Sequence, residues 1–228
     1  MGTARVRWTG RAEGDLGTTA GPGVEGRRQA VEPGRWAWLH QVHGAEVRGV
    51  PEPGAVQGDD GDAMVTATPG VILAVFTADC APVAFSSPEG VVGLAHAGWR
   101  GIAAGVLDAT ADAMRALGAT RLEAALGPCI RAECYEFGED DIDVLERRLG
   151  PSVRGRTAGD RPALDLAAAV NASLDRAGVA LVADSGRCTA CGGQWFSHRA
   201  GGDRERQATV VVAAGAVTGR PGGRGGTR

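Results

Sequence analysis

The chain has 228 residues, 43% hydrophobic and 22% charged, which suits one core of ordinary size, and it holds no apolar run long enough to cross a membrane. A formal charge of −3, a 4% aromatic content and a single tyrosine give neither the basic patch nor the stacking surface that would grip nucleic acid. All 24 basic residues are arginine, so a Walker-type phosphate loop and any lysine Schiff base are excluded.

Residues 9–34 are rich in glycine and charge, with weak periodicity, and read as loop. Apolar, β-prone runs follow at 35–50, 64–66, 71–77, 82–86 and 91–95, separated by Gly, Pro and Asp turn signals. The spacing of Ile102, Val106, Ala109, Ala113 and Leu117 predicts one helix over 102–117, stopped by Gly118. A strand at 122–126, helices at 140–149 and 165–177, and strands at 179–183 and 209–213 complete the pattern. Strands and helices mix without a regular βαβ beat, so the expected fold class is α/β, a sandwich of mixed β-sheets flanked by helices. One domain is expected over 1–213, with a flexible Gly/Arg-rich tail over 214–228.

Five cysteines and an N-terminus without an apolar leader segment point to a reducing cytoplasm, with the sulfurs present as thiols or metal ligands. Four histidines exist: His40, His43, His96 and His198. His40 and His43 are three apart in LHQVHG, and on an extended strand an odd separation sends them to opposite faces, so only one can enter a shared site. Cys80 ends the apolar run VILAVFTADC, and His96 ends VVGLAHA. Two histidines and a cysteine converging from strand ends would make a three-ligand site with an open fourth position, the pattern of catalytic zinc. Glycines at 98, 101 and 105 permit close backbone approach, and Arg100 beside the helix start would attract phosphate.

The segments HQVHG, GDAMV, TADCAPV, LAHAGWRG, GPCI followed by CYEFG, and WFSHR resemble, in this order, the motifs of the YfiH-like family. The same family is also called the polyphenol oxidase, laccase-domain or peptidoglycan editing factor family. The resemblance implies a YfiH-like, cysteine-hydrolase-like fold and a zinc held by His43, Cys80 and His96. It also implies phosphorolysis of adenosine, inosine and methylthioadenosine, and deamination of adenosine. Cys80, His96 and Arg100 would carry the chemistry, with Asp62, Asp79, His198 and Arg199 binding substrate. The segment that precedes QVHG in the family is compressed here to WTGRAEGDLG.

A blue-copper centre uses two His and one Cys, and the two histidines left over are too few to hold a copper cluster, so copper oxidase chemistry is set aside in favour of zinc. The competing reading is a Cys/His amide hydrolase that edits peptidoglycan precursors, with Cys80 as nucleophile, His96 as base and Asp62 or Asp79 orienting it. A committed zinc thiolate cannot also be a free nucleophile, so metal content separates the two. The partners that the resemblance implies are a purine nucleoside and phosphate, with monomer and homodimer both open. Cys188 and Cys191 form a CxxC that reads as packing thiols, the alternatives being a redox pair or an accessory metal site.

Overall fold

The structure, a computed structural model, describes residues 4–214. Strand β1 (Ala4–Trp8) and helix α1 (Val24–Val31) lie in or beside the segment expected to be loop. Both were hard to read: β1 is an edge strand carrying two arginines, and α1 buries only Arg28 and Val31. The expected run at 35–50 is two short strands, β2 (Trp36–Ala37) and β3 (Val47–Gly49), because the chain turns between them at His43, whose φ is 59°.

Strands β4 (Ala63–Thr66), β5 (Ile72–Thr77), β6 (Ala81–Ser86) and β7 (Val92–Ala97) fall where the apolar runs place them. The single helix expected over 102–117 is instead α2 (Trp99–Ala104) and α3 (Val106–Ala116). Gly105 between them has φ 94°, a left-handed conformation that ends one helix and starts the next. Then come β8 (Glu123–Leu126), α4 (Glu139–Leu149), the unforeseen hairpin β9 (Arg154–Arg156) with β10 (Pro162–Leu164), α5 (Leu166–Arg176) and β11 (Ala180–Asp184). Helix α5 starts where the Asp165 side chain accepts a hydrogen bond from the Ala168 N–H at 2.9 Å. A one-turn helix α6 (His198–Gly201) precedes the last strand, β12 (Gln207–Ala213). The expected tail lies outside the described residues except for Ala214.

Among the described residues the larger sheet runs β11-β8-β6-β7-β4-β3, antiparallel at its centre and parallel at both edges. The smaller runs β1-β12-β5-β2, with β2 parallel to β5 and the other pairs antiparallel. Side-chain alternation gives each central strand two buried faces. Met64, Ala84 and Leu94 of the larger sheet meet Leu73, Val75 and Val211 of the smaller one in the core of the sandwich. The opposite face of the larger sheet, with Val65, Val83, Phe85 and Ala95, is covered by Ile102, Leu107, Met114, Leu145 and Val170 from the helices. Gly93 lets α3 lie close, since a Cβ there would stand 3.0 Å from the Met114 sulfur. The smaller sheet's outer face packs Ile72, Ala74 and Phe76 under Leu16 and Val31. Helices, sheet, sheet and a thin N-terminal cover therefore stack in that order, the mixed-sheet sandwich that the sequence pattern implies.

Candidate active site

Register brings three chain segments to one end of the larger sheet. His96 pairs with Pro82 near the start of β6, while Cys80 closes the turn between β5 and β6. Asp62 immediately precedes β4, and its carbonyl accepts the His96 N–H at 2.7 Å. The same aspartate has no exposed surface and ties the two histidines together. Its Oδ1 accepts from the His43 N–H at 2.9 Å and sits 2.8 Å from His96 Nδ1, and its Oδ2 accepts from the Gly44 N–H at 2.6 Å. With Nδ1 of His96 engaged by Asp62, Nε2 is the nitrogen left to ligate a metal that displaces its proton, and the backbone bonds hold His43 in its left-handed turn.

The ligand atoms of His43, Cys80 and His96 all lie within 4.8 Å of one another. His43 Nε2 is 3.8 Å from Cys80 Sγ, and the two imidazoles meet edge to face with centroids 4.8 Å apart. Gly98 makes room for this, because a Cβ there would stand 2.9 Å from His43 Cδ2 and 3.1 Å from Cys80 Sγ. Two imidazole nitrogens and a thiol suit a borderline-soft divalent cation, and three donors beside a cleft leave a fourth position for a ligand from solution. Burial pushes the Cys80 thiol up, but the charge of His96 and the hydrogen bond from His43 outweigh it and bring the thiol down to about 6. Burial likewise opposes charge on His96, yet the Cys80 thiolate and Asp62 raise it to about 9.

Asp79, with φ 103°, is held in that uncommon conformation by its own side chain. Its Oδ1 accepts from the hydroxyls of Thr189 and Ser197, each at 2.7 Å, and its Oδ2 from the Arg199 N–H at 2.7 Å. Asp62 and Asp79, expected to bind substrate, thus both have oxygens engaged by the protein's own donors, and of the two Asp79 lines the cleft. His40 is not separated from His43 by strand alternation, as the sequence argument supposed. A turn divides them, and His40 is 68% exposed at the rim, 2.7 Å from Asp60.

The triad opens into a cleft of about 520 Å³ that His198, Arg199, Arg204 and Arg206 also line, facing Thr18 and Thr19. Arg100 is not among its lining residues; its exposed guanidinium stacks on Trp99, 4.3 Å from the ring centroid. The cationic wall comes from 199–206 instead, a signal present in the sequence as SHRAGGDRER but read only as far as Arg199. Tyr135, the chain's only tyrosine, adds a wall under Arg199 at 4.8 Å from its ring centroid. Burial pushes its phenol up, so it stays a neutral hydroxyl. Thr77 lines the cleft too, and its buried hydroxyl has no hydrogen-bond partner among the described residues.

The family model described as multi-copper polyphenol oxidoreductase laccase matches residues 25–214. The chain belongs to this family. Among relatives of this laccase-like family, a purine nucleoside phosphorylase of Streptomyces coelicolor is 40% identical over 188 residues, covering 79% of this chain and 76% of that protein. One of Deinococcus radiodurans is 43% identical over 180 residues, covering 77% and 69%. An adenosine deaminase from an unknown prokaryotic organism is 36% identical over 138 residues, covering 57% and 53%. Of solved structures, a Neisseria meningitidis protein superposes with a TM-score of 0.78 at 32% identity over 93% of this chain and 90% of that one. YfiH of Bacillus licheniformis gives 0.77 at 25% identity over 87% and 85%. No helix among the described residues is long and apolar enough to cross a membrane.

Proposed function

We propose that this chain is a cytoplasmic, zinc-dependent purine nucleoside phosphorylase acting on adenosine, inosine and methylthioadenosine, with adenosine deaminase activity. The observation that carries the reading is one cleft shared by a His43–Cys80–His96 triad and a wall of arginines. Relatives named purine nucleoside phosphorylase and adenosine deaminase support the same chemistry.

His43, Cys80 and His96 would hold the zinc, with Asp62 orienting His96. When bound there, the metal supplies a Lewis acid that polarises an oxygen and activates water near neutral pH. Arg199, Arg204 and Arg206 bind phosphate and aim one oxygen at the anomeric carbon, a positioning task suited to guanidinium forks. That oxygen forms the new bond to C1′ as the glycosidic bond breaks, and the purine leaves with the electron pair and takes up a proton. In deamination, water adds at C6 and ammonia leaves. Tyr135 offers a neutral hydrogen bond to the nucleoside.

The test is a phosphate-dependent assay on zinc-replete protein with the three nucleosides. Arg204→Ala/Arg206→Ala is expected to raise the KM for phosphate at least about 10-fold and to spare deamination, while Arg100→Ala changes the phosphate KM by less. No phosphate-dependent purine release would overturn the reading.

The acidic Cys80 thiol beside two histidines also fits an amide hydrolase editing peptidoglycan precursors. Rapid alkylation of Cys80 in zinc-replete protein, and a thioester on an amide substrate, would select that reading.

A further inference from the structure

Away from the triad, the ligand atoms of Glu133, Cys134, Cys188 and Cys191 all lie within 4.8 Å of one another. The two segments that supply them are 57 residues apart in Cys134 and Cys191, yet their sulfurs approach to 3.4 Å. That distance is far beyond a disulfide bond of about 2.05 Å, and all five cysteines are free thiols. It is near the edge of a zinc–thiolate tetrahedron, which bonds of about 2.3 Å make roughly 3.8 Å long. The Arg131 N–H donates to Cys188 Sγ at 3.4 Å, the kind of amide contact that steadies a sulfur ligand. Cys188 is buried, Cys134 half-buried, and Cys191 and Glu133 are exposed, so the cluster is anchored at one side and reachable from solvent at the other.

We infer that these four residues form a second metal site, a closed Cys₃Glu centre for a borderline-soft divalent cation, above all zinc. Three thiolates and a carboxylate complete four-coordination without an open position, so the site is structural rather than catalytic. It ties the segment ending in Tyr135, which lines the cleft, to the segment carrying Thr189, whose hydroxyl holds Asp79. Its cation thus staples a segment of the cleft wall to one that supports the cleft-lining Asp79.

Elemental analysis of the purified full chain, together with titration of chelator-treated protein with cobalt(II), tests this independently of any activity. Wild type and Cys80→Ala should both show the near-ultraviolet thiolate-to-cobalt band of a sulfur-rich site. Cys191→Ser, a change at an exposed position, should lose most of that band and about one zinc per chain. Glu133→Gln should weaken zinc binding while keeping the band. Equal zinc content and equal cobalt spectra in Cys191→Ser and wild type would overturn the proposal. So would a Cys134–Cys191 disulfide in protein purified in the presence of zinc.

Discussion

At the scale of single residues, Gly98 matters to the site because a side chain there would crowd both His43 and Cys80. Its φ of −74° and ψ of 161° are open to alanine, so Gly98→Ala disturbs the ligands and not the backbone. We expect zinc affinity to fall about 10- to 100-fold in a competition titration while the urea midpoint of chelator-treated protein stays near wild type. Unchanged affinity would show that the triad tolerates crowding. Protonation supplies a second prediction. Without metal, His96 gains a folded-state value of about 9 against roughly 6.5 unfolded, so its contribution is complete below about 6.5 and is lost as pH rises through about 9. Cys80 falls to about 6 against roughly 8.5 unfolded, so its contribution is complete above about 8.5 and is lost as pH falls through about 6. Against burial, each shift is caused largely by the other group's charge, so the two are one ion pair seen from both ends: its contribution holds a plateau between about 6 and 9 and is lost on either side. Urea unfolding of chelator-treated wild type, with Cys80→Ser subtracted, should trace that plateau; a monotonic difference curve would refute it. The three residues that the fold gathers, His43, Cys80 and His96, were legible as candidates in the sequence because cysteine and histidine are scarce in it. Asp62 and Asp79 were found as well, but their hydrogen-bond partners were not, since neither motif shows that His96 and backbone N–H groups would engage Asp62, or that the Thr189 and Ser197 hydroxyls and the Arg199 N–H would engage Asp79.

Among the elements, the strands were read more faithfully than the helix that follows them. Apolar runs bounded by turn residues locate β4 to β7 to within two residues at either end. Apolar periodicity runs unbroken across 102–117, however, and cannot reveal a glycine that turns left-handed in its midst. The break at Gly105 angles α2 so that Gly101 lies against the Gly44 carbonyl, where a Cβ would come within 3.0 Å. Gly105→Ala must place a side chain at φ 94° and 2.7 Å from an Arg148 nitrogen. It should destabilise the protein by about 1–2 kcal/mol in urea unfolding. A stabilised variant would mean that the two helices had fused into the continuous one that the periodicity describes.

For the whole molecule, the sandwich was legible as a class, from strands and helices in irregular alternation, but its strand order was not. Pairings such as β1 with β12 join residues some two hundred apart, and no local pattern records them. That same pairing governs when the protein acquires its cleft. Strand β12 lies between β1 and β5, so during synthesis the smaller sheet stays split until almost the last described residue has left the ribosome. The arginines at 204 and 206 stand directly before that strand, and the triad and Arg199 are made earlier. A nascent chain can therefore assemble the larger sheet and bring His43, Cys80 and His96 together before β12, and the two arginines that lead into it, complete the cleft wall.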